Sequence, residues 1–198
     1  MLQLYSNARS TYSKRVHIYL KFRKIEYETI PVALEKLENR KKPYILMNPY
    51  GKVPMLKDED FLLSESTVII RYLEDKYNFQ DPFFPTDIKK RATLNQKINQ
   101  AETEFCFPGS IIYFAKKFKP EETWDKNRMK ESSKRLGRHL EILASELAGN
   151  EFLFQNSFGI LEVMYAPFIE HIEMMDTKIP QPVLDWKNRV IQRVESLG

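Results

Sequence analysis

The chain opens on an alternation of apolar and polar residues, with Leu2 and Leu4 on one side, that predicts a strand over residues 1–5. Ser6 to Ser10 is polar and reads as a loop. From Thr11 to Arg23 the spacing becomes helical, with Val16, Tyr19, Leu20 and Arg23 along one side and Ser10 in place as an N-cap. Ile25 to Pro31 predicts the next strand, so the chain begins strand–helix–strand, a parallel pair with a right-handed crossover. Residues 33–47 are irregular and charged, with room for a turn or two of helix.

The stretch from Asn48 to Tyr77 is the most patterned of the chain. Asn48-Pro49-Tyr50-Gly51 is turn chemistry. Val53-Pro54-Met55-Leu56 is an apolar run, but Pro54 has no N–H for a ladder, which marks a strand margin or a cis bond. Lys57 to Asp60 is a polar turn, Phe61-Leu62-Leu63 the returning strand. Ser64 or Ser66 then caps a helix with Ile69, Tyr72, Leu73 and Lys76 at three- and four-residue spacing. Asn78 to Pro85, with two prolines, reads as a linker, and no strand pattern returns after it. Thr86 or Asp87 caps a long helix reaching about residue 118, with Pro108-Gly109 as the place for a bend. Residues 121–148 carry a stripe of Leu136, Leu140, Leu143 and Leu147 before Gly149, the expected C-cap. Ile160 to Met175, apolar on most sides, predicts a buried helix, and Pro182 to Ser196 a last amphipathic one. The expected architecture is an α/β domain over residues 1–78, a linker at 79–86 and an all-α domain over 87–198.

Composition narrows the function classes. At 198 residues the chain can bury a sizeable core. It has no apolar run of membrane-spanning length and no signal-peptide pattern at the N-terminus, so a cytoplasmic location is expected. A single cysteine, Cys106, excludes an internal disulfide framework and a CxxC pair. His17, His139 and His171 lack metal-ligand spacing, and no metal is expected. Residues 1–78 hold 14 Lys and Arg against 10 Asp and Glu, and the remainder 17 against 17, so the net charge of +4 lies in the first part. Arg40, Lys41, Lys42 and Lys52 are close in sequence. With no nucleic-acid motif beside them, they read as a solvated face or as a pocket for a small polyanion.

Asn48-Pro49-Tyr50-Gly51-Lys52-Val53-Pro54-Met55-Leu56, the Glu65-Ser66 pair and Tyr72-Leu73 followed by Tyr77 together resemble the second half of the thioredoxin-like domain of the glutathione S-transferase family. Its signature there is NP-x-G-x-VP-x-L, a Glu-Ser pair and an apolar helix ending in YL-x-x-x-Y. The second part extends the likeness. The family's buried helix opens with a Ser/Thr-x-x-Asp box, here Gly159-Ile160-Leu161-Glu162, in which Glu162 is still able to reach the cap N–H. The chain is thus identified as similar to cytosolic, serine-type, bacterial-like members. The resemblance implies a thioredoxin-like βαβ–ββα domain followed by a helical domain, glutathione as co-substrate and a homodimer.

Site residues follow from the same resemblance. In the family, the position five before an Arg-Val pair on the first helix is the catalytic Ser or Cys, which here is Ser10, counted from Arg15-Val16. Read without the family, Ser10 is a helix cap at an anion-favouring N-terminus. Thr11, Tyr5 and Tyr12 are further hydroxyls nearby. Glu65 and Ser66 match the γ-glutamyl pocket, and read alone are a capping pair. Lys52 and Arg40 match positions that hold the glycyl carboxylate. Pro54, if cis, turns the Val53 backbone toward the cysteinyl amide. Cys106 reads as core or second-substrate wall, and Tyr113, Phe114 and Phe118 as core or the lining of an apolar pocket. The implied activity is conjugation of the glutathione thiolate to small apolar electrophiles. The alternatives are a glutathione-dependent isomerase of the maleylacetoacetate type and a non-catalytic relative with a regulatory role.

Overall fold

The computed structural model describes residues 1–198, which divide into two compact units, residues 1–84 with 197–198 and residues 85–196. The first unit holds a four-stranded sheet in the order β2-β1-β3-β4: β1 Leu2–Ser6, β2 Tyr27–Pro31, β3 Met55–Asp58 and β4 Phe61–Ser64. β1 and β2 are parallel, while β3 is antiparallel to both β1 and β4. Helix α1 (Thr11–Arg23) makes the crossover between the parallel strands, and α3 (Ser66–Tyr77) follows β4. This is the expected βαβ–ββα order of the thioredoxin-like fold. Leu4 and Leu56, paired across β1 and β3, are fully buried, as are Val16, Tyr19 and Leu20 of α1 and Ile69, Ile70 and Leu73 of α3.

Local chemistry moves several boundaries. β2 begins at Tyr27, not Ile25, because the exit from α1 uses Lys24 and Ile25: Lys24 turns left-handed at φ 54°, and the Ile25 N–H bonds back to the Leu20 carbonyl at 2.9 Å. The hairpin turn is only Glu59-Asp60, so Lys57 and Asp58 belong to β3. The segment after β2 forms 3-10 turns at Leu34–Lys36 and Glu38–Arg40 and a short helix α2 (Tyr44–Met47). Neither Ser64 nor Ser66 caps α3. Glu65 holds the cap position at φ 72°, and no side chain bonds the helix end. The buried face of α3 also includes Glu74, whereas Tyr72 is half-buried and Lys76 exposed, both reaching Asp58 on β3.

Glu74 holds the end of the first unit together. Its carboxylate accepts from the Tyr19 hydroxyl at 2.9 Å, from Arg23 Nε at 2.7 Å and Nη2 at 3.1 Å, and from the Phe83 N–H at 2.6 Å. The Arg23 side chain is 4% exposed, so the pair is screened little by water. Burial, then Glu74, raises the Tyr19 phenol well above its ordinary range and keeps it a donor.

The second unit is helical: α4 Ile88–Gln100, α5 Phe107–Phe118, α6 Lys126–Glu146, α7 Ile160–Ile169 and α8 Gln181–Glu195. Asp87, not Thr86, caps α4, its carboxylate accepting from the Lys90 N–H at 2.8 Å. The long helix expected to reach residue 118 is interrupted by a π-helical segment, Ala101–Cys106, while Pro108 and Gly109 lie in the first turn of α5. α6 starts at Lys126 because Glu121–Thr123 forms a 3-10 turn and Asp125 caps the helix from there. Its C-cap is Leu147, and Gly149 follows in the left-handed region. α7 ends at Ile169, short of Met175, and the chain continues as a 3-10 turn, Ile172–Met175. Every residue of α7 is buried. Glu162 lies in its first turn and accepts from the N–H groups of Gly159 at 3.0 Å and Leu153 at 2.9 Å and from Trp186 Nε1 at 3.3 Å. Burial pushes its carboxyl up to about 7 against the pull of those donors. No helix is long and apolar enough to cross a membrane.

Candidate functional site

Strand register brings the sequence motifs to one end of the sheet. Ser6 at the end of β1 pairs with Pro31 at the end of β2, Tyr5 with Met55 at the start of β3, and Met55 with Ser64 at the end of β4. The loop into α1, the turn before β3, the entry to α3 and the start of the 32–52 segment therefore meet at the same end.

Ser10 is buried there in extended conformation, at φ −86°. Its Oγ accepts from the Ser13 N–H at 3.1 Å, and its own N–H donates to the Asn7 carbonyl at 3.0 Å. A hydroxyl has one proton as well as its acceptor lone pairs. The cap bond uses an acceptor site, so the Ser10 O–H is left to donate. Asn7 steadies the loop, its side chain bonding the Val32 carbonyl at 2.8 Å and the Arg9 N–H at 2.9 Å. Next to Ser10, the Thr11 hydroxyl oxygen is buried with no partner in the chain. Tyr5 packs its ring against Tyr44 and the cluster of Val32 and Met55, while the Tyr12 ring lies under the Arg15 guanidinium at 4.6 Å.

Glu65 is exposed, with φ 72° and ψ 111°, a conformation that costs a non-glycine residue of order 1–3 kcal/mol and is concentrated at functional sites. Ser66 behind it is buried and is the first residue of α3, where N–H groups lack intrahelical partners. Its hydroxyl accepts from Arg15 Nη1 at 3.3 Å, which ties the start of α3 to α1 across 51 residues. Arg15 is fully buried. Sequence reasoning used it only as a counting mark. The available signal was its place beside Val16 and one turn before Tyr19, on the side of α1 that is buried.

The Val53–Pro54 bond is cis. The carbonyl of Lys52 just before it accepts from the Tyr44 hydroxyl and from Asn48 Nδ2 at 2.8 Å. Burial pushes the Tyr44 phenol up to about 12, which maintains it as a donor. Val53 itself lies outside the sheet ladders. Gly51, at φ 59°, is pressed against the 3-10 turn ending at Arg40. The Asn39 side chain bonds its carbonyl at 2.6 Å, and an added Cβ would lie 2.8 Å from the Asn39 carbonyl oxygen and 3.2 Å from Arg40 Cδ. Arg40 and Lys52, 12 positions apart, thus project from adjoining segments, and both are exposed.

Other candidates resolve as structure. Cys106 is fully buried, which makes it core. His17 is held by Tyr27 at 2.7 Å and Ser6 at 3.1 Å, and burial lowers its pKa. His139 bonds the Tyr165 hydroxyl at 2.7 Å, and burial takes it down to about 4. His171 stacks on Tyr113 at 4.8 Å. Tyr113, Phe114 and Phe118 form a ring cluster in which Tyr113 is buried. No group of three or more His, Cys, Asp and Glu side chains is placed to hold a metal ion.

Residues 4–82 match the family model for the glutathione S-transferase N-terminal domain. Glutathione S-transferase F10 of Arabidopsis thaliana is 29% identical over 163 residues, which cover 81% of this chain and 76% of the relative. The zeta-class glutathione S-transferase of Euphorbia esula is 42% identical over 98 residues, half of this chain and 43% of that one. Among solved structures, poplar glutathione transferase F1 superposes with a TM-score of 0.84 at 25% identity, covering 99% of this chain and 97% of its own.

Proposed function

We propose that the chain is a glutathione transferase, on the match of residues 4–82 to the glutathione S-transferase N-terminal domain and its likeness to the relatives above, and that it joins the thiolate of glutathione to small apolar electrophiles, with Ser10 as the donor that holds the thiolate. A free thiol of this kind has a pKa near 8.5, so only about 3% is ionised at pH 7. The Ser10 O–H, not consumed by the cap bond, donates to the sulfur, and the free N–H groups at the start of α1 add to the stabilisation of an anion.

The rest of that end of the sheet supplies what the remainder of glutathione needs. The exposed carboxylate of Glu65 accepts from the γ-glutamyl ammonium. The N–H and hydroxyl of Ser66 donate to the γ-glutamyl carboxylate. Because the Ser66 oxygen already accepts from Arg15, its proton is directed away from that side chain, toward the ligand. The Val53 backbone, outside the ladders, pairs with the cysteinyl amide as a short added strand. Lys52 and Arg40 hold the glycyl carboxylate. Pro54 shapes the turn. The observation that carries the reading is the convergence of a capping serine whose O–H is left to donate, a positive-φ glutamate and the Val53 backbone, which no ladder uses, at one end of one sheet.

The test is retention on immobilised glutathione followed by conjugation of a generic aryl halide. Retention with measurable turnover is the expected result. Retention without turnover on any of several electrophiles refutes the catalytic part, and failure to bind glutathione refutes the whole.

A further inference from the structure

The cations around the proposed glycyl end outnumber what a glycyl carboxylate uses. Between Ala33 and Lys52 the chain carries five cations, Lys36, Arg40, Lys41, Lys42 and Lys52, against two carboxylates, Glu35 and Glu38, a local charge of +3. All of these side chains are exposed. None of Arg40, Lys41, Lys42 and Lys52 has a carboxylate partner. Lys41 Nζ donates to the Lys36 carbonyl at 2.9 Å, a neutral acceptor that leaves its charge uncompensated. Of the two acids, Glu38 is turned to the Ala33 N–H at 2.8 Å.

These cations stand on a fixed frame. Asn39 Nδ2 bonds the Gly51 carbonyl at 2.6 Å, and the Arg40 stem lies on Gly51. The Tyr44 hydroxyl and Asn48 Nδ2 hold the Lys52 carbonyl from the other side. Lys41 and Lys42 follow Arg40 directly, so their backbones begin within about 4 and 7 Å of it. That is inside the roughly 10 Å over which a charge is felt at 0.1 M salt. An anion held by Arg40 and Lys52 therefore lies in the field of Lys41 and Lys42 as well. Glutathione brings one negative charge to this end, which leaves most of the surplus unmet.

Resting on the glutathione reading above, we propose that the site takes γ-glutamylcysteinyl thiols with an acidic third residue and prefers them to their neutral isosteres, with Lys41 and Lys42 meeting the added carboxylate. Ion pairs of exposed lysines are weak and screened by salt, so the preference is modest and depends on ionic strength. The added charge is remote from the sulfur, so it acts on the Michaelis constant and not on turnover.

The probes are γ-glutamylcysteinylaspartate and γ-glutamylcysteinylasparagine, which match in shape and differ in charge, compared with glutathione in conjugation of one saturating aryl halide by the whole protein. At low ionic strength the aspartyl peptide should show a Michaelis constant about threefold below that of the asparaginyl peptide, the middle of what exposed ion pairs supply, at equal turnover. The ratio should approach one at about 0.5 M salt. The double variant Lys41→Gln, Lys42→Gln should bring the two constants together and keep the turnover number with glutathione; both residues are exposed, so it folds. Equal constants for acid and amide in a wild type that conjugates glutathione would overturn the preference and leave the glutathione reading standing. A preference that survives high salt or the double variant would overturn the assignment to Lys41 and Lys42. If none of the three thiols is bound, the glutathione reading fails and this inference falls with it.

Discussion

Replacing Ser10 with alanine removes two things, and the structure allows them to be separated. One is the cap bond from the Ser13 N–H to Oγ at 3.1 Å, whose loss should cost about 0.5–2 kcal/mol of stability. The other is the proposed O–H donor to the thiolate. If the bound thiol reverts to its solution behaviour near pKa 8.5, ionisation at pH 7 falls to about 3%, a loss of roughly thirtyfold. A donor that also follows the developing charge in the transition state brings the total to the order of 10²-fold in turnover. Glutathione affinity should change little, because most contacts proposed for the tripeptide lie elsewhere. The deficit should shrink to a few-fold by pH 9, where solution ionisation takes over. The assay is initial-rate conjugation from pH 6 to 9, with the thiolate absorbance of the binary complex titrated in parallel and thermal unfolding recorded to isolate the capping cost. Ser10→Thr preserves both hydroxyl functions and should restore most of the rate. Full activity and an unchanged thiolate titration in Ser10→Ala would refute the assignment. The buried, unpartnered Thr11 hydroxyl beside it would then be the donor, and Thr11→Val would carry the loss instead.

Glu65→Ala should raise the Michaelis constant for glutathione more than it lowers turnover, at about 1.5–3 kcal/mol for a lost charge-assisted contact, and steady-state kinetics showing an unchanged constant would remove Glu65 from the site. Glu74→Ala leaves the buried Arg23 guanidinium, the Tyr19 hydroxyl and the Phe83 N–H without their acceptor, so unfolding should lose about 3–5 kcal/mol; a loss under about 1 kcal/mol by denaturant titration would contradict the network. Glu162 has its folded pKa raised from 4.5 to about 7, so the folded state binds its proton more tightly than the unfolded chain does. That contribution is complete below pH 4.5 and is lost as pH rises through about 7; melting temperature should fall across this window in the wild type, and equal slopes in Glu162→Gln would show that another group is responsible. Sedimentation at micromolar concentration should give a dimer of the 23.6 kDa chain, with an interface above roughly 1,000 Å², and a monomer alone would refute the pairing.

Most of the architecture was legible in the residues because its signals are local. Alternation at Leu2 and Leu4, helical spacing after Thr11 and the proline-bounded break near residue 80 depend on neighbours a few positions away. The caps at Ser10 and Asp87, and the reach of Glu162 back to Gly159, are three-residue relations and were readable for the same reason. Boundaries slipped where a local pattern is silent about the backbone. Nothing in the composition of residues 101–106 announces a π-helical segment, and Glu65 reads as an ordinary capping residue until its φ is seen to be positive. What tertiary structure alone decided are contacts between residues far apart in sequence. Arg15 meets Ser66 across 51 positions, Arg23 meets Glu74 across another 51, and the stem of Arg40 settles on Gly51. A residue's type limits which partners it is able to satisfy when buried. Which partner it gets depends on strand register and helix packing, and those are set by the whole core at once.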